Sequence, residues 1–151
     1  MKIYLILLLI IVTNIAFAEL LKPNHNLMAE EVILIQLSAL KNNNHPYENA
    51  GIDQTWEFAN TSNRIFTGPL EKFTSMMHSP LYSMMLNHKD HKIILVEKKN
   101  NIAYFFVELD DQKGNKYGFR WIIEKVNNNG EFDNCWMTTS VSEPMPLSNS
   151  A

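Results

Sequence analysis

The chain holds one cysteine, Cys135, in 151 residues, so no internal disulfide braces it. A lone thiol of this kind behaves as a small buried hydrophobe unless positive charge lies beside it. Here Arg120 and Lys125 are the nearest cations in sequence. Excess positive charge is also missing: 13 Lys and Arg stand against 16 Asp and Glu, a net charge of −3. With no basic stripe, nucleic acid is not expected as a partner. Glycine is scarce, with 5 in the chain, and none belongs to a phosphate-cradling loop. The patterns G-x-S-x-G, H-E-x-x-H and C-x-x-C are absent too. The sequence therefore assigns no catalytic residue and implies neither cofactor nor metal.

What is present begins with an export signal. Lys2 supplies a positive start, Ile3 to Thr13 is an uncharged apolar run, and Ala16-Phe17-Ala18 has the small-x-small form that signal peptidases accept. The run is short for a bilayer span, so a cleaved leader is favoured over an anchor. Residues 1–18 are thus expected to be removed. That leaves a periplasmic or secreted protein with no membrane attachment. Cys135 does not follow the cleavage point, so it is no lipid attachment site. One domain is expected over residues 19–141, and the polar, Pro-containing stretch 142–151 reads as a flexible tail.

The first half of the mature chain has helical character. Leu27 to Lys41 carries Asn26 as a candidate cap and early Glu30 and Glu31. Its apolar residues occur on most faces, which predicts a well-covered helix. Pro46 opens a second segment towards Asn60, with Ile52, Trp56 and Ala59 at helical spacing. Gly68-Pro69 starts a third, with Leu70, Phe73 and Met77 in register, and Ser79-Pro80 stops it. Tyr82 to Leu86 reads as a short strand.

From Lys92 the period changes to two. Ile93-Ile94-Leu95-Val96, Ile102 to Leu109, Tyr117 to Val126 and Phe132 to Thr139 are β-branched and aromatic, and Asn, Asp and Gly separate them. Two-residue turns at Lys113-Gly114 and Asn129-Gly130 would place Tyr104, Phe106 and Glu108 beside Phe119, Trp121 and Ile123. Next to these would come Phe132, Asn134, Trp136 and Thr138. This aromatic face is expected to receive the helices. The opposite face would carry Phe105, Val107, Ile122 and Met137 uncovered, a surface for a homodimer. The fold class is α+β, N-terminal helices packed on a curved antiparallel sheet.

Trp56-Glu57-Phe58-Ala59, Gly68-Pro69-Leu70-Glu71-Lys72-Phe73 and Ser79-Pro80-Leu81-Tyr82 together resemble the small bacterial domain-of-unknown-function family 4864. So does Asn129 to Cys135, where that family usually has an aromatic two residues after the glycine and a cysteine three further on. The resemblance covers about Asn26 to Val141. It implies the nuclear transport factor 2-like, cystatin-like cone superfamily, with helices in the concave face of a bent sheet, commonly a pocket between them, and often dimers. It carries over no catalytic residue.

Candidate ligand-binding residues follow from the expected aromatic face: Tyr104, Glu108, Trp121, Asn134 and Trp136. Large rings with a few convergent polar groups suit a small apolar ligand with one polar end. The main expectation is a non-enzymatic binding module, for such a ligand or for a protein partner. The alternatives are an isomerase-type enzyme with Glu108 as base and Tyr104 as hydroxyl donor, or a structural homodimer. Met76-Met77-His78, Met84-Met85, His88 and His91 have thioether and imidazole groups that suit copper, but at no diagnostic spacing, so core packing is the expectation. Asn60-Thr61-Ser62 is a glycosylation sequon, meaningful only on a eukaryotic secretory route.

Overall fold

Val32, Ile33, Gln36, Leu37 and Leu40 repeat at three and four residues, and this one stripe of α1 (Ala29–Lys41) is buried. Leu34, on the opposite side, is exposed, so α1 is covered on one face and not all round. The structure, a computed structural model, describes residues 19–148. The expected leader, residues 1–18, lies outside them. Met28, not Asn26, caps α1, and the Glu31 carboxylate accepts the Met28 backbone N–H at 2.7 Å. The carboxylate three residues in thus satisfies the N–H of the cap residue itself, the half of a capping box that needs no polar cap side chain.

Three further helices follow: α2 (Ala50–Glu57), α3 (Thr61–Thr67) and α4 (Leu70–Met77). Pro46 stays in the loop before α2. Helix α2 crosses α1 so closely that a Cβ on Gly51 would sit 2.2 Å from the Ala39 carbonyl oxygen, so only glycine fits there. Helix α3 was not foreseen. Its cap is Asn60, whose side chain accepts the Ser62 N–H at 3.0 Å. Arg64 on α3 donates to the Trp56 carbonyl at 2.7 Å and the Glu57 carbonyl at 3.2 Å, satisfying the open C-terminal end of α2, and to the Ala59 carbonyl just beyond it at 2.9 Å. Tyr82 to Leu86 is not a strand: Ser83–Met85 forms a single 3₁₀ turn that drives Met85 into the core.

The sheet runs β1 (Asp90–Lys99), β2 (Ile102–Asp110), β3 (Lys116–Lys125) and β4 (Trp136–Val141), antiparallel and in that order. Two register shifts bend it, one leaving Val96 unopposed in β1 and one leaving Thr139 unopposed in β4. The tail expected to be flexible instead supplies β5 (Met145–Leu147), which pairs with Lys116–Gly118 of β3. It continues along the edge of β3 where β4 leaves off. Helices on a curved, unclosed antiparallel sheet make this the α+β class expected.

The register of β2 against β3 differs by one residue from the one the Lys113-Gly114 turn predicts. Asp110 pairs with Lys116, so the connection has five residues, closed by the Asp111 carboxylate accepting the backbone N–H groups of Lys113 and Asn115. Side chains alternate, so the slip turns β2 over. Ala103, Phe105, Val107 and Leu109 therefore join Phe119, Trp121 and Ile123 on the covered face. Tyr104, Phe106 and Glu108 lie on the outer one. The β3–β4 connection is likewise no two-residue hairpin. Lys125 pairs with Trp136, and positive φ falls at Asn129 and Asn134, 54° and 61°. Phe132 and Asn134 belong to this loop and not to β4.

Candidate functional site

The helices do not close completely over the inner sheet face. Between α3, α4 and β4 they leave a cavity of about 210 Å³. Leu40, Phe73, Met76, Met77 and Met85 form its apolar walls. Asn63 and Phe66 of α3 reach its rim with Ser140 and Val141, and Phe66 is 78% exposed. Its floor is polar, made by Gln36, Thr55, Thr138 and the edge of Trp121.

The floor is placed by backbone. Thr138 donates its N–H to the Phe58 carbonyl, and its own carbonyl accepts the Asn60 N–H, each at 2.8 Å. These two bonds fix β4 against the α2–α3 junction beside the Thr139 bulge. Gln36 enters from the buried stripe of α1 and Thr55 from α2.

The proton positions in this floor follow from chemistry. An indole N–H can only donate, so Trp121 Nε1 donates to Thr138 Oγ1 at 3.1 Å. The hydroxyl proton of Thr138 is then directed to Gln36 Oε1, at 2.6 Å. A carbonyl can only accept, so Gln36 presents Nε2 to the Thr55 carbonyl at 3.1 Å, which fixes the amide orientation. The Thr55 hydroxyl donates to the Gly51 carbonyl at 2.8 Å. Trp121 spends its single N–H, but the other three side chains are engaged without being exhausted. Gln36 keeps a second amide N–H, and the two threonine oxygens keep lone pairs. Burial makes each of these bonds matter, since leaving one partner unpaired there costs about 1–3 kcal/mol.

Among the described residues lining the cavity, the Tyr82 phenol is the one group that titrates, and burial raises it further above its ordinary range. The lining is therefore uncharged at neutral pH. It offers no carboxylate, imidazole, thiol or ammonium.

Of the five residues singled out from sequence, Trp121 lines this cavity. Trp136 shares its sheet face and is buried, but away from the cavity, with the Lys98 and Lys125 ammonium groups 5.4 and 5.3 Å from its ring centre. Tyr104 opposes Ile122 and Glu108 opposes Gly118 on the other side of the sheet. Asn134 is exposed in the β3–β4 loop, its amide donating to Asp133 at 3.1 Å. The five do not form one site. Gln36 and Thr55 were missed. Gln36 had a legible signal, a polar residue in the middle of the apolar stripe Val32, Ile33, Leu37 and Leu40.

The Met/His segment divides. Met77 and Met85 are core, and His88, 1% exposed, donates Nδ1–H to the Met85 carbonyl at 2.7 Å. Its Nε2 then accepts from His91 Nδ1, also at 2.7 Å. Burial, with the nearby His91 and Lys41, pushes His88 down to about 4, against the partial opposition of the Met85 carbonyl and Asp90. Among the described residues no three His, Cys, Asp or Glu side chains gather as a metal site would need. Cys135 is buried and its thiol is raised by burial, the state of an inert cysteine.

No protein-family model matches the chain, and no curated protein or solved structure matches it.

Proposed function

We propose that this protein is an exported binding module that holds a small apolar molecule in the cavity between α3, α4 and β4. One observation carries the reading: a cavity of about 210 Å³ with an apolar wall, an open rim and a hydrogen-bonded floor. A dry cavity of about 150 Å³ is large enough to take benzene, so this one suits a slightly larger molecule. Three methionines in the wall allow it to adapt to shape. Kinship with family 4864 and the nuclear transport factor 2-like cone is part of the same proposal. It is supported by the agreement in fold class and by the motif residues quoted above. Export is tested by N-terminal sequencing of the mature protein, expected to begin at Glu19.

The enzymatic alternative lacks geometric support. Glu108 lies on the outer sheet face, across the sheet from the cavity, and the described lining contains no general base. Titration with toluene, followed through the indole N–H signals in a ¹H–¹⁵N spectrum, tests the binding reading. Saturable movement of the Trp121 signal is expected. Its absence at millimolar toluene overturns the reading.

A second reading, association of two copies through the outer sheet face, is favoured by a shallow groove bordered by Val96, Tyr104, Phe106 and Ile122. Val96 is 65% exposed. Ile122 was expected there from sequence, whereas Tyr104 and Phe106 replace Phe105 and Val107 because β2 is turned over. Sedimentation at high concentration is expected to show a dimer, and a strict monomer rejects it.

A further inference from the structure

Resting on the reading of the cavity as a ligand site, we infer that its ligand is a neutral molecule whose apolar body ends in a hydroxyl group, and that the site discriminates against the corresponding carboxylate. The chemistry of the floor carries this. A polar ligand end reaching it meets the second N–H of Gln36, which can only donate, and the spare lone pairs of Thr55 and Thr138, which can only accept because both hydroxyl protons are already directed elsewhere. A hydroxyl can accept from the first and donate to the second. A carboxylate reaching this floor can use the amide proton but sets its other lone pairs against the threonine oxygens; the Tyr82 and Ser140 hydroxyls elsewhere in the lining are neutral donors, and among the described residues no cation lines the cavity to hold its charge. An ammonium could donate to the threonines but would face the Gln36 N–H with no acceptor and no counter-charge. Burial of an unpaired ion is far costlier than burial of a satisfied hydroxyl.

Size narrows the class further. The volume accommodates roughly eight to ten non-hydrogen atoms, judged against the benzene-sized cavity, and the exposed Phe66 at the rim leaves room for a tail to project. Medium-chain aliphatic alcohols and alkyl phenols fit both limits.

The test compares 1-octanol, octanoate and n-octane at pH 7.5 on the unaltered protein, reading the Trp121 indole N–H and the Thr138 amide signals. Octanol is expected to bind at least about thirtyfold more tightly than octanoate, with the Trp121 signal moving because its acceptor, Thr138 Oγ1, gains a further partner. Equal affinity of octanol and octanoate overturns the hydroxyl assignment while binding of octane preserves the ligand site itself. Failure of all three to bind overturns both. Gln36→Met and Thr138→Val, each close in volume to the native residue, provide a second arm. In either variant that remains folded, the advantage of octanol over octane is expected to shrink about tenfold. An unchanged advantage in both also rejects the assignment.

Discussion

The two faces of this sheet are built from similar residues and meet opposite fates. The inner face carries Phe105, Val107, Phe119, Trp121 and Ile123, all essentially out of contact with solvent. The outer face carries Tyr104, Phe106 and Ile122, half-exposed, with Glu108 and Arg120 between them. Phe105 and Phe106 are neighbours in sequence with the same side chain. What separates them is the direction in which each leaves the strand, and that was set by the five-residue connection between β2 and β3. The lesson is that aromatic content does not choose the buried side of a sheet when both sides have it; the turn does.

The most severe way to break the comparison is Trp121→Ala. Loss of a core indole and of its bond to Thr138 is expected to cost about 3–5 kcal/mol, measured by urea unfolding. Acid is expected to act next. The covered side of the molecule also holds His88, whose folded value of about 4 lies below the ordinary 6.5. Above pH 6.5 the ring is neutral in both states and stability is full. Between 6.5 and 4 the unfolded chain takes up a proton that the folded protein does not, so stability falls as pH falls through this window. The loss should approach about 3 kcal/mol below pH 4. His88→Phe should flatten this part of a stability-versus-pH curve; an unchanged slope would show that another group carries it.

Smaller effects belong to the outer face. Phe106→Ala is expected to cost about 1 kcal/mol, since the ring is already partly wet, against several for Phe105→Ala. Equal losses would mean that the outer face is covered as fully as the inner one. Glu108→Gln should change stability by less than about 0.5 kcal/mol and leave ligand binding in the cavity untouched. Weakened binding would return Glu108 to the site and reopen the enzymatic alternative.

How far the sequence could be read varies along the chain. Helix α1 and its Val32, Ile33, Leu37 and Leu40 stripe were legible because period and burial coincide. Helix α3 was not. Seven residues with no buried side chain present no periodicity, and the helix holds by the Asn60 cap and by Arg64 reaching the α2 carbonyls. The cap is local, but the Arg64 bonds are contacts with another helix. The inner positions of β3 were placed correctly and those of β2 inverted, because the position of Gly114 suggested a two-residue turn where Asp111 closes a longer one. Strand β5 carried no signal, since three residues including a proline become a strand only against the free edge of β3.

The candidate site shows the same division. Trp121 was found because a large aromatic in a strand announces itself, whereas Tyr104, Glu108 and Asn134 were assigned to a face they do not occupy. Composition and local periodicity alone determined an α+β chain, three of the four α-helices among the described residues, four strands and an inert buried cysteine. Those features depend on neighbours a few residues apart. The cavity and its directional chain from Trp121 through Thr138 and Gln36 to Thr55 join residues from β3, β4, α1 and α2. Whether four such side chains meet is decided by strand register and helix placement, quantities fixed by long-range packing that no local pattern encodes.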